Sequence, residues 1–202
     1  SFSDSFTYAI RLGNGTLAWN TVTVTFTGEN DAPVITSGPQ AGTVGEDGTL
    51  SAAGQVTSSD GDHGATATWS GNGSSDLGAF TVNAANGAWN YALDNASDAV
   101  QALAAGETVI ETYTVTVTDE HGATASQNVT ITITGTNDGP VITSSAQSGD
   151  VAEDGTLVAS GQVTSSDVDH GATAAYSGDA AGAHGAFAVN ASTGEWSYTL
   201  DS

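Results

Sequence analysis

Carboxylates are the side chains in this sequence whose type and spacing suit chemistry, and they return at a fixed interval. Asn30-Asp31-Ala32-Pro33 comes back 107 positions later as Asn137-Asp138-Gly139-Pro140. At the same offset Glu46-Asp47-Gly48 comes back as Glu153-Asp154-Gly155, and Asp60-Gly61-Asp62 as Asp167-Val168-Asp169. Against 23 acids there is one base, Arg11, and no lysine, for a formal net charge of −22. Such a field repels nucleic acid and anionic membrane surfaces and favours bound cations. With no cysteine, thiolate metal sites and disulfide staples are excluded. With no lysine, a Lys–Asn isopeptide staple is excluded as well. A hard, oxygen-seeking cation is the remaining cross-link this composition suits. His63 and His170 follow the Asp-x-Asp pairs, but oxygen-preferring ions do not take imidazole, so they read as solvated loop residues. Asp and Asn at strand ends are also common turn formers. No Ser-His-acid set, phosphate loop or cysteine nucleophile is present, and no pair of acids is singled out for proton transfer. The expectation is that the chain is not an enzyme.

The elements that must hold these acids are strands. Tyr113, Val115 and Val117 alternate with Thr112, Thr114, Thr116 and Thr118, and Val129, Ile131 and Ile133 alternate with Thr130, Thr132 and Thr134. Alternation of β-branched residues predicts antiparallel strands with one buried face. Phe80–Val82 and Trp89–Leu93 flank a turn-rich segment ending in Asn86-Gly87 and predict a hairpin. The one helical candidate runs from Ser97, as N-cap, to Ala105, with Gly106 as its stop. Short strands, Gly/Asp/Asn turns and about 100 residues per repeat predict an all-β fold of tandem Greek-key sandwiches.

The repeat divides the chain into a unit's last strands at 1–28, one complete unit at 29–135 and the first part of another at 136–202. From Asn30 to Asp94 the two copies align without insertion, and about two thirds of the paired positions are identical. Phe6-Thr7-Tyr8-Ala9-Ile10 aligns with Thr112-Tyr113-Thr114-Val115 if a two-residue length difference is allowed. The Pro33 and Pro140 linkers are short and stiff, so the array is expected to be extended. No run is apolar enough for membrane insertion.

In this order, the Asn-Asp-x-Pro linkers, the Glu-Asp-Gly turn, the Asp-x-Asp pair, the Leu93-Asp94 strand end and Val117-Thr118-Asp119 resemble cadherin-like repeats. The set is closest to the VCBS-type bacterial modules of large exported adhesins. The resemblance implies calcium at the junctions between modules. It assigns Asn30, Asp31, Asp60, Asp62 and Asp119 to a first junction. To a second it assigns Glu46, Asp94, Asn137, Asp138, Asp167 and Asp169. The family's linkers carry a further acid two places before the Asn-Asp pair, where this chain has Gly28 and Gly135.

The function expected is that of a calcium-stiffened spacer in an extracellular, secreted bacterial adhesin or surface fibre, partnered by neighbouring repeats. Two rivals stand beside it. One is a calcium-dependent module binding polysaccharide in a biofilm matrix, for which Trp69 is the candidate ring. The other is a head-to-tail fibre of identical chains, in which the late strands of one chain complete the early strands of the next.

Overall fold

The computed structural model describes residues 2–201 and is all-β apart from one helical turn. It opens with a long hairpin of β1 (Phe2–Arg11) and β2 (Leu17–Phe26) that pairs with no other strand. The central part follows as β3 (Val34–Ile35), β4 (Gln40–Gly45), β5 (Ser51–Gln55), β6 (Ser58–Ser59), β7 (Ala67–Ser70) and β8 (Gly73–Ser74). It continues through β9 (Gly78–Val82), β10 (Ala88–Leu93), α1 (Asp98–Gln101), β11 (Thr108–Asp119) and β12 (Thr124–Thr134). Two four-stranded sheets, ordered β5-β10-β9-β8 and β4-β12-β11-β7, close on each other, and β3 pairs with β6.

Between the two sheets lie Val44, Val56, Phe80, Trp89, Tyr91, Val115, Val117, Val129, Ile131 and Ile133, all buried. Val115, Val117, Val129, Ile131 and Ile133 are the apolar members of the alternating runs, and the threonines between them face outward. There Thr116 and Ser126 hydroxyls pair across β11 and β12 at 2.9 Å. The expected hairpin at residues 80–93 is β9–β10.

Three expectations change. The helix is four residues long, and its Ser97 hydroxyl accepts from the Ala99 amide as an N-cap. It stops early: the Leu103 amide bonds to the Val100 carbonyl in a tighter i→i−3 turn, and Glu107 then turns back through Ala104. Nor is there a length difference between the first hairpin and β11–β12. Phe2 pairs with Phe26 and Arg11 with Leu17, just as Val109 pairs with Ile133 and Thr118 with Thr124. The offset of 107 holds throughout, which puts Phe6, Tyr8 and Ile10 in the slots of Tyr113, Val115 and Val117. The matching tyrosine letters had suggested a false shift.

Trp69 is the third change, being buried rather than solvent-facing. It pairs with Val117 across β7 and β11 and packs against Gly87, where an added Cβ would lie 2.8 Å from the indole.

The last part holds β13 (Val141–Ile142), β14 (Val158–Gln162), β15 (Ser165–Ser166), β16 (Ala180–Ala181), β17 (Gly185–Val189) and β18 (Glu195–Leu200). Here β14-β18-β17-β16 repeats the β5-β10-β9-β8 sheet, and β13–β15 repeats β3–β6. The counterparts of β4 and β7, at 147–152 and 174–177, form no strand. Among the described residues no helix is long and apolar enough to cross a membrane.

Candidate metal centre

Two groups of acids sit at the ends of the central part, built by the same local geometry. At the first, the Asp31 amide donates to Asp62 Oδ2 at 2.9 Å, and the Asp62 amide donates to Asp60 Oδ1 at 2.9 Å. Asn30 Nδ2 donates to Asp119 Oδ2 at 2.9 Å, tying the linker to the end of β11. Asp119 Oδ1 also accepts from the His121 and Ala123 amides, at 2.9 and 2.8 Å. All five expected residues of this junction therefore meet.

The second group repeats the pattern: the Asp138 amide donates to Asp169 Oδ2 at 3.0 Å and the Asp169 amide to Asp167 Oδ1 at 3.0 Å. Asn137 Nδ2 donates to the Asp138 carbonyl, as Asn30 does to that of Asp31. Glu46 approaches from the central part. Its carboxylate accepts from the Thr136 amide at 2.9 Å and from Gln101 Nε2 at 2.9 Å, with only 3 % of the residue exposed.

Asp94 is not part of this group. It is exposed, accepts from the Ala96 amide at 3.2 Å, and shares a shallow depression with Asp76 and Asp98. The turn before α1 uses its carboxylate. Asp47 was missed by the sequence reading. It lies close enough to raise the pKa values of both Glu46 and Asp138, and its recurrence in the Glu-Asp-Gly turn was the available signal. The junction also holds a contact the sequence did not announce. The His170 amide donates to the Ala102 carbonyl at 2.8 Å, and its ring nitrogen lies 3.1 Å from a Glu107 oxygen.

The electrostatics of the two groups differ. Burial first, then the Asp169, Asp47 and Asp167 carboxylates, push Asp138 above the usual carboxylate range. Burial also raises Glu46, opposed by the Thr136 amide and reinforced by Asp138, Asp47 and Asp169. Asp119 is held below its ordinary value, chiefly by the Asn30 hydrogen bond, with burial opposing and backbone amides assisting. Asp138 Oδ2 and Asp169 Oδ1 are buried without any hydrogen-bond donor. Buried acceptors of this kind are costly unless something positive satisfies them. Among the described residues no group of three or more His, Asp or Glu side chains is placed to hold a metal ion by itself. The second group does hold two unpartnered oxygens beside like charges, and hard oxygens are the donor type a calcium-type ion takes.

The pH dependence follows from these directions. Raised carboxylates contribute stability that is fully present below their unfolded values, about 4, and lost as pH rises through their folded values. Asp119 does the reverse, contributing above its unfolded value and losing it as pH falls through the lowered one. In chelator, wild type should therefore gain stability from neutrality down to about pH 4 and lose it below. General relief of self-repulsion gives the same sign, so Asp138→Asn is the comparison. Denaturant midpoints against pH should show a smaller acid gain in the variant, and identical slopes would count against this assignment.

The model of the bacterial cadherin-like domain matches residues 30–135. No curated protein sequence matches the chain. Among solved structures, PcdhgB3 extracellular domains 1–4 align with a TM-score of 0.58 at 18 % identity, over 100 % of this chain and 48 % of that one. Protocadherin gamma B7 extracellular cadherin domains 1–4 align at 0.50 and 16 % identity, over 100 % and 58 %. Domains EC21–23 of human cadherin-23 align at 0.50 and 20 % identity, over 99 % and 64 %. The chain spans about half the length of the first of these structures. At such identities the likeness concerns the fold.

Proposed function

Because the chain belongs to the bacterial cadherin-like domain family, we propose that it is a calcium-stiffened spacer of an extracellular bacterial adhesin or surface fibre. Domains of this kind are typically adhesive or structural repeats, and cadherin domains generally bind calcium. In this reading residues 29–135 are one full unit, preceded by the last strands of another and followed by the first part of a third. The observation that carries it is the pair of buried, donor-less oxygens on Asp138 and Asp169, facing Glu46 from the other side of the linker.

A calcium ion supplies double positive charge and open coordination for about six to eight oxygens. The chain's own residues do the rest. Asp138 and Asp169 would offer their free oxygens, with Asp167 and Asn137 alongside. Glu46 is fixed by Thr136 and Gln101, so it presents its charge across the junction without needing to reorder. Linker, central part and last part then share one charge centre, and their mutual repulsion becomes a restraint on bending. The first group, Asn30, Asp31, Asp60, Asp62 and Asp119, would form one side of a second centre. Asp94 has no place in the proposed set. A glycan-binding reading loses its ring, because Trp69 is in the core.

Calorimetric titration with calcium, coupled to small-angle scattering with and without chelator, tests this. The expected result is saturable binding with a narrower, longer distribution of shapes when calcium is present. Binding with no change of shape would remove the stiffening role, and no binding would remove the proposal.

A further inference from the structure

The central and last parts share no sheet, yet more than the linker joins them. Among the described residues, every hydrogen bond from 141–201 to 30–135 is made by one residue, His170. Its amide donates to the Ala102 carbonyl at 2.8 Å, and its ring Nδ1 lies 3.1 Å from a Glu107 oxygen.

Both partners on the central side are held by their own surroundings. Ala102 is the C-cap of α1, where the last carbonyls of a helix have no partner within the helix. Val100 and Leu103 beside it are buried in the core, so this carbonyl has little freedom to turn away. Glu107 is tied down three times. Its carboxylate accepts from the Ala104 amide at 3.1 Å, and its own amide donates to the Ala104 carbonyl at 2.8 Å. Its carbonyl accepts from the Gly135 amide at 2.9 Å. The linker leaves flush against this turn, since a Cβ on Gly135 would lie 2.3 Å from the Leu103 carbonyl oxygen.

His170 is constrained from its own side. The Asp169 amide donates to Asp167 Oδ1 at 3.0 Å, the Ala172 amide to the Asp169 carbonyl at 3.2 Å, and Gly171 has a φ of +72°. This tight turn sends the His170 amide and ring to the same neighbour. A carboxylate only accepts, so Nδ1 carries the hydrogen that faces Glu107.

We infer that His170 is a metal-independent latch, whose amide and ring fasten the last part to the turn at 102–107 and set the angle between the two parts. The latch lies next to the acids in sequence on both sides. Gln101 holds Glu46 and Ala102 receives the His170 amide, while Asp169 immediately precedes His170. Acids that repel one another are thereby kept at a fixed separation. The side chains of His170 and Glu107 are 60 % and 38 % exposed, so water competes for the ring contact and the latch opens and closes. No ion takes part, and the latch stands whether or not calcium binds.

The chain has no cysteine, so spin labels on Thr81→Cys and Ala188→Cys report the distance between the parts cleanly. Both positions are exposed and occupy the same slot in the two sheets. In chelator, at constant pH and moderate salt, the wild-type pair should give one dominant distance with a minor broad component. His170→Ala should lower the latched-to-open ratio by about three- to tenfold, the effect of losing one net hydrogen bond. His170→Asn keeps a donor near the place of Nδ1 and should restore much of that ratio. The main thermal midpoint should not move in either variant. Exchange of the His170 amide gives a second reading, slow in wild type and faster in Glu107→Ala. A wild-type distribution as broad as that of His170→Ala, a His170→Ala distribution as narrow as wild type, or an unprotected His170 amide would overturn the latch.

Discussion

Saturating calcium should raise the main thermal midpoint of the wild-type chain by about 5 to 10 °C, and Asp138→Asn should remove most of that gain. An ion present at about a hundred times its dissociation constant stabilises the folded state by about 2.7 kcal/mol. For a chain of this size, each kcal/mol moves the midpoint by about 2–4 °C. Asp138 is chosen because its Oδ2 is buried with no donor and because Asp169, Asp47 and Asp167 all repel it. The variant should therefore change sign with conditions. In chelator, Asp138→Asn removes repulsion and leaves stability unchanged or slightly higher. In calcium it falls well below wild type. Asp31→Asn should have a smaller effect in calcium, since Asp31 is exposed and meets only the acids of its own side. If calcium shifts wild type and Asp138→Asn equally, the ion sits elsewhere.

The contrast between Asp138 and Asp94 bears on how far a sequence discloses a site. Recurrence at 107 residues marked the acidic clusters, and side-chain alternation marked β11 and β12, because both are properties of residues in order. Where Asp94 points depends instead on the turn that leads into α1, and a local hydrogen bond to Ala96 decides it. Gln101 and Thr136 hold Glu46 from 55 and 90 positions away, contacts that spacing alone does not encode. The helix was expected to be longer for a related reason. Ser97 and the small residues after it favour a helix, but tighter turns closed by the Leu103 and Glu107 amides end it after one turn. Trp69 lies among Gly, Ser and Thr, which read as a wet neighbourhood. Pairing with Val117 puts it in the core.

Residues 147–152 and 174–177 take this furthest. They keep much of the sequence of β4 and β7, yet they form no strand, whereas β4 and β7 are paired to β12 and β11. Strand identity at these positions belongs to the partner as much as to the segment.

Trp89→Ala should be among the most damaging single substitutions in the chain, costing about 3–5 kcal/mol, and the matching change at Trp196 should not reproduce it. Trp89 is 2 % exposed, stacks on Phe80 at 5.7 Å and donates to Gln40 at 3.0 Å. Gly54 and Gly42 leave room for its ring, since an added Cβ at Gly54 would lie 2.6 Å from it. Trp196 repeats these features, stacking on Phe187 at 5.8 Å and donating to Gln147 at 3.4 Å.

What differs is the opposite wall. Behind Trp89 the second sheet places Val129, Ile131 and Ile133, all fully buried. Among the described residues no strand closes the core behind Trp196, so that region opens locally at low cost. Hydrogen exchange separates the two. Trp89→Ala should speed exchange throughout β11 and β12 and lower the main midpoint. Trp196→Ala in dilute protein should speed exchange in β17 and β18 and leave β11 and β12 protected. If Trp196→Ala lowers the main transition as far as Trp89→Ala does, the last part folds as one unit with the central sandwich.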